Sequence, residues 1–115
     1  MHERLETGIR HFNGQEYFEA HEAFEDLWRA ASGDLRLLYQ GVVQACAGLV
    51  KHQRGQDASA RTLLQKGLAK LEAAPSPPGS GLDVDRLVIE LRRILDALKA
   101  DRPFDPPAMR PMDDL

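Results

Sequence analysis

The sequence predicts an all-α protein, a compact bundle of about five helices that ends in an extended, proline-rich tail. Three observations carry this. Apolar residues recur at i, i+3, i+4 and i+7 along most of the chain, as one face of a helix requires, and no segment alternates by two as a half-buried strand would. Each periodic run stops at Gly, Asn-Gly or Pro, which tolerate or impose a helix end. A chain of 115 residues with 43% hydrophobic side chains has material for one core and not for two.

The elements follow in order. A first helix is expected from about Glu3 to Phe12, with Leu5, Ile9 and Phe12 on one side. Asn13-Gly14 stops it, because both residues accept the left-handed conformation of a helix end. A second runs from about Glu16 to Ala31, and Ser32-Gly33-Asp34 is a turn in which Asp34 caps the next helix. The third runs from about Leu35 to Arg54 and ends at Gly55. Asp57 or Ser59 caps a fourth that continues to about Ala74, with Leu64, Leu68 and Leu71 in register. The Pro/Gly/Ser stretch 75–81 is neither helix nor interior strand and is a linker. Asp83 caps the last helix, whose apolar face is Val84, Leu87, Val88, Leu91, Ile94, Leu95 and Leu98. The bundle is thus one domain over residues 1–100, followed by a tail over 101–115. Pro103, Pro106, Pro107 and Pro111 keep that tail extended. Phe104, Met109 and Met112 are the residues that would anchor it; the alternative is a frayed terminus.

Composition excludes several classes. The single cysteine, Cys46, supports neither an internal disulfide nor a zinc cluster, which fits a reducing cytoplasm. A balance of 15 basic against 18 acidic residues offers no attraction for nucleic acid. The N-terminal residues lack the basic start and apolar run of a signal peptide. The longest nearly apolar stretch, Val42 to Val50, falls far short of the roughly 20 residues that span a bilayer. The expectation is a soluble cytoplasmic protein with neither a nucleic-acid nor a membrane partner.

The second helix carries the most information. With His21 at zero on a helical wheel, Trp28, Tyr17 and Phe24 fall about 20°, 40° and 60° to one side, and Glu25 and Phe18 about 40° and 60° to the other. His21 and Glu25 are therefore expected one turn apart inside an aromatic stripe. An imidazole and a carboxylate buried there need partners. Arg29 adjoins Glu25 at the edge of the stripe, and Glu22 lies nearer the rim, while Glu19, Ala23 and Asp26 face away. The third helix has one apolar face (Leu35, Leu38, Val42, Cys46, Leu49) and a second stripe of Gly41, Ala45, Gly48 and His52. Two glycines inside a helix, each costing about 1 kcal/mol against alanine, imply a closely approaching neighbour. Gln40 and Gln44, one turn apart on its remaining side, are the expected partners of His21 and Glu25 across the interface.

A histidine and a carboxylate at i and i+4 project to the same side, so this pair suits either a metal ion or acid–base chemistry. The alternative is a buried hydrogen-bond network that sets how two helices pack. The second histidine of the zinc-protease helix is missing, and position 18 is Phe where the Glu-x-x-His pair of di-iron bundles needs a carboxylate. His52 is the one further histidine placed to converge. The expectation is accordingly no cofactor and no metal; were one held, His21 and Glu25 would hold it. Cys46 lies on the apolar face with nothing basic beside it and is read as an inert core residue.

Two motifs resemble a known family. Phe12-Asn13-Gly14-x-x-Tyr17-Phe18-Glu19-Ala20-His21-Glu22-x-x-Glu25-x-x-Trp28-Arg29 is similar to the opening motif of the domain-of-unknown-function family 309. Tyr39-Gln40-Gly41-x-x-Gln44-x-x-Ala47-x-x-x-Lys51-His52-x-x-x-Gly55 resembles its second, and Ala60-x-x-Leu63-Leu64-x-x-Gly67-x-x-x-Leu71 a weaker third element. The resemblance covers about residues 8 to 73. It implies a small all-helical prokaryotic protein and no particular reaction. Two functions remain in view. One is a binding or interaction module that holds a peptide or a second copy of itself, a homodimer being a ready way for a small bundle to gain core. The other is a small enzyme or metal protein using His21, Glu22 and Glu25.

Overall fold

A computed structural model describes residues 3–73 and 80–112. It contains α1 (Glu3–Asn13), α2 (Tyr17–Ala30), α3 (Gly33–Gln53), α4 (Asp57–Ala73) and α5 (Val84–Lys99). Among the described residues the only extended pairing is an isolated bridge between Leu82 and Pro111. The fold is an all-α bundle. Most of the expected linker, residues 75–79, lies outside the described residues, as does the end of the tail, 113–115.

The helix ends show where local chemistry sets the chain's course. The amides of Gly55 and Gln56 bond the carbonyls of His52 and Lys51, and Gly55 takes φ +75°. That paired closure is the Schellman motif with glycine in its left-handed position. α1 closes in the same way, but with a different residue in the left-handed place. The amides of Gln15 and Glu16 bond the carbonyls of Phe12 and His11, so the left-handed residue is Gln15, at φ +62°, and not Asn13 or Gly14. α3 begins at Gly33 after Ser32, so Asp34 sits in its first turn rather than capping it. The carboxylate of Asp57 is bonded to His52 at 2.8 Å. Asp83 caps α5 as expected, accepting the Arg86 amide at 3.1 Å.

α3 is the central helix, packed on α2 at one flank and α4 at the other. On the α2 side Phe24 meets Tyr39, ring centres 6.4 Å apart. On the α4 side the expected close approach is present. A β-carbon on Gly67 would stand 2.6 Å from the Gly41 carbonyl oxygen, and one on Gly48 would stand 3.1 Å from the Ala60 carbonyl oxygen. Only residues without side chains let these two backbones touch. The core between the helices includes Phe12, Phe24, Leu38, Val42, Leu49, Leu64, Leu91 and Ile94, all fully buried. Cys46 is fully buried, and burial pushes its thiol pKa well up. Burial, with Cys46 close by, pushes the Tyr17 phenol up to about 12.

The described part of the tail is docked rather than frayed. Asn13 brackets Met109, its side-chain amide donating to the Met109 carbonyl at 2.9 Å and its oxygen accepting the Met109 amide at 2.7 Å. Met109 is buried, Phe104 packs on the core and Met112 is half in water. The Met112 amide bonds the Gly81 carbonyl, and the Asp83 amide bonds the Arg110 carbonyl. The close of the linker is packed as well, because Ser80 is buried and its carbonyl accepts the Tyr39 hydroxyl at 2.8 Å. Glu90, with Ser80 a buried polar residue among those described, accepts the Ala108 amide at 3.1 Å and pairs with Arg93 at 3.1 Å. Burial opposes its ionisation, but the Ala108 amide and Arg93 outweigh that and hold the carboxyl below its ordinary range.

Two outcomes follow. Gly67→Ala should destabilise the protein by about 2 kcal/mol despite alanine's better helix propensity, because the added methyl forces α3 and α4 apart; urea denaturation measures it. For Glu90 the sign follows from its lowered pKa. The stabilisation is present above the unfolded-state value and is lost as pH falls through the folded-state value. Glu90→Gln keeps an acceptor for Ala108 but loses the charge, so it should cost about 1 kcal/mol at neutral pH. The gap between the two melting curves should close on acidification below about pH 4.

Candidate functional site

The buried face of α2 is made by Tyr17, Ala20, Ala23, Phe24 and Leu27. Its centre lies about 100° from His21 on the wheel. The aromatic residues alone had placed that centre near His21, because the small and aliphatic members Ala20, Ala23 and Leu27 were not weighed with them. Two expectations change. Ala23, expected to face away, is buried, and Phe18, expected in the stripe, is 51% exposed. His21 and Glu25 consequently sit on the flank of α2, each side chain about a quarter exposed.

On that flank the polar groups form a row. His21 Nε2 lies 3.6 Å from Glu25 Oε2, and the other Glu25 oxygen is held by the Arg29 guanidinium. Arg29 also reaches Asp26 at 3.8 Å. Phe18 stacks beside His21, ring centres 6.3 Å apart and planes inclined by 23°. Trp28 is partly buried, with the Arg36 guanidinium 4.4 Å from its ring centre. The same guanidinium donates to the Trp28 carbonyl at 3.2 Å. Arg36, on the next helix, was not singled out from the sequence, since only the α2–α3 turn brings it over Trp28. Glu22 is exposed.

The expected α2–α3 network is not what forms. Gln44 accepts the Lys70 ammonium of α4 at 2.9 Å. Gln40 is half-buried, and among the described residues no hydrogen bond joins it to His21 or Glu25. The reason is the shift of α2's buried face, which turns His21 and Glu25 toward the outside of the bundle. His52 does not join them either; it is bonded to Asp57 and its ring centre lies 4.8 Å from that of Phe104. The Nδ1 atom of His21 and the Nε1 atom of Trp28 are buried without a hydrogen-bond partner among the described residues.

This arrangement limits the chemistry. One Glu25 oxygen is held by Arg29, and His21 keeps one nitrogen covered and the other against Glu25. Two cavities lie elsewhere. One of about 450 Å³ is lined by His52, Asp57, Phe104 and their neighbours, the other of about 390 Å³ by Lys51, Ala58, Ser59, Thr62 and Leu63. Neither is lined by His21 or Glu25. Among the described residues no three His, Cys, Asp or Glu side chains converge as a metal site would need, and no helix is long and apolar enough to cross a membrane.

Fold and flank together define a small all-helical protein with an ion-paired helix face. The model of the family described as Domain of unknown function (DUF309) matches residues 5–63, just over half of the chain, and the chain belongs to that family. The matched span takes in α1, α2, α3 and the start of α4 and ends inside the third motif. No curated protein and no solved structure matches the chain.

Because the His21–Glu25–Arg29 row is partly solvated, Glu25→Gln should cost less than about 1 kcal/mol of stability. Chemical denaturation checks this, and a loss above about 2 kcal/mol would show a buried network instead.

Proposed function

We propose that the protein is a small helical interaction module that docks a partner on the outer flank of α2, in the first instance a second copy of itself. The observation that carries this reading is Phe18. Its ring is half in water, yet it is stacked on His21 at the end of a row of charges already held in place by one another. A fixed aromatic ring rimmed by charged groups is the pattern of an interface anchor, since its burial gains apolar contact at little cost in side-chain ordering. The charge order along the helix favours a second copy. Glu19, Glu22, Glu25 and Asp26 precede Arg29 on α2. An antiparallel copy would bring its Arg29 opposite the acidic half of the first, the isologous arrangement of a two-fold dimer. A soluble, cytoplasmic setting accords with this reading.

The reading against it is a small enzyme using His21, Glu22 and Glu25. Glu25's pairing with Arg29 works against that. Sedimentation equilibrium over a range of concentrations tests the proposal. The wild-type chain should dimerise, and Phe18→Asp should be monomeric at the same concentrations while keeping the wild-type helical circular dichroism. A wild-type chain that stays monomeric throughout, or a Phe18→Asp variant that still dimerises, overturns it.

A further inference from the structure

We propose that the cavity where α3 turns into α4 and α5 gives way to the tail binds a small zwitterion of the amino-acid type, its carboxylate on Arg102 and its ammonium on Asp101. The cavity lining is drawn from α3, α4, α5 and the tail.

The cavity measures about 450 Å³ and includes His52, Asp57, Asp101, Arg102 and Phe104 in its lining. That is within the size range of small-molecule sites. Four charged or ionisable side chains line it, but they do not have equal freedom. His52 Nδ1 and Asp57 Oδ1 are 2.8 Å apart and satisfy each other. No side-chain hydrogen bond or ion pair joins Asp101 or Arg102 to another described residue. The open chemistry is therefore one carboxylate and one guanidinium on neighbouring residues. A simple anion would meet Asp101 and Asp57, and a simple cation would meet Arg102. A ligand with both charges on adjacent carbons satisfies both, and Arg is suited to hold a carboxylate bidentately. Leu98, Pro103 and Phe104 supply the apolar wall for its side chain. The His52 ring lies against that of Phe104, their centres 4.8 Å apart, and Phe104 also packs on the core.

The backbone at Asp101 adds a second line of support. The amides of Asp101 and Arg102 bond the carbonyls of Leu98 and Ala97, which places Asp101 in the left-handed position of a Schellman motif, at φ +53°. Glycine serves that position best, as Gly55 does for α3. An aspartate there is less favourable for the turn, and this residue is one of those that line the cavity.

The experiment is an amide and imidazole NMR titration of the full chain with L-leucine and L-phenylalanine, beside their N-acetyl and methyl-ester forms. The free amino acids should give saturable shifts at His52, Asp101, Arg102 and Phe104, and each blocked form should bind roughly ten-fold more weakly. Arg102→Gln should abolish the preference for the free acid over the ester. Asp101→Gly should weaken binding by roughly ten-fold while the melting temperature holds or rises, an outcome that a purely structural role for Asp101 would not give. Blocked forms that bind as well as the free amino acids overturn the proposal. So does the absence of saturable shifts at about 20 mM of either amino acid.

Discussion

The contact between the backbones of α3 and α4 at Gly41 and Gly67 is the constraint on which the rest of the bundle depends. A helix pair normally stands 8–10 Å apart because side chains fill the gap. Here the Gly67 β-position is 2.6 Å from the Gly41 carbonyl oxygen, so no side chain separates them there. With α4 pressed on that flank of α3 and α2 on the other through Phe24 and Tyr39, α3 is committed on both sides. Its remaining polar stripe is left half-buried, and Gln44 turns to Lys70 of α4. The same close pair needs only the short Gly55 turn between its helices, which brings His52 at the end of α3 onto Asp57 at the start of α4.

The helices and the glycine contact were legible in the sequence because both obey short-range rules. Helical periodicity and residues without side chains can be read from a few neighbours. The orientation of α2 was legible only in part. Aromatic residues suggested a face centred near His21, but burial depends on total apolar area, and Ala20, Ala23 and Leu27 together outweigh Phe18 and move the centre about 100° round. The burial of His21 and Glu25 and their pairing with Gln40 and Gln44 depend on that angle; the pairing of Glu25 with Arg29 does not, and it is present. In the tail the apolar anchors Phe104 and Met109 were legible, but the polar ones were not, for a different reason. The polar anchors join residues far apart in sequence, Asn13 with Met109 and Glu90 with Ala108. An asparagine beside a glycine reads as a helix stop, and a glutamate within α5 as a surface residue, until the fold puts an unpaired backbone amide within reach of each.

Those two polar anchors also explain how an extended, proline-rich segment is held without regular structure. Each proline removes a backbone donor, so the segment cannot pair its own backbone as a helix or sheet does. The amides at Ala108 and Met109 are bonded by side chains of the bundle, and the Leu82–Pro111 bridge completes the strap. Glu90 is buried for this purpose, and the bonds it accepts compensate the cost of burying a charge.

Packing explains most side chains in this protein, and the few it leaves unexplained are where function is best sought. Phe12, Phe24 and Leu91 are buried because the core needs their volume. Phe18 is not: half of its ring lies in water, and a polar residue would serve the fold there as well. Asp101 is not: glycine would suit its left-handed backbone better. Arg102 forms no side-chain bond with another described residue, although it lines a cavity whose apolar wall includes Phe104. By contrast Glu25, among the most conspicuous residues of the sequence, is already engaged, by His21 on one side and Arg29 on the other. A group whose interactions are complete within the chain has little left to offer a ligand. The groups with unused interactions are Phe18 and the His21 Nδ1 atom next to Glu25, and Arg102 at the α5–tail turn.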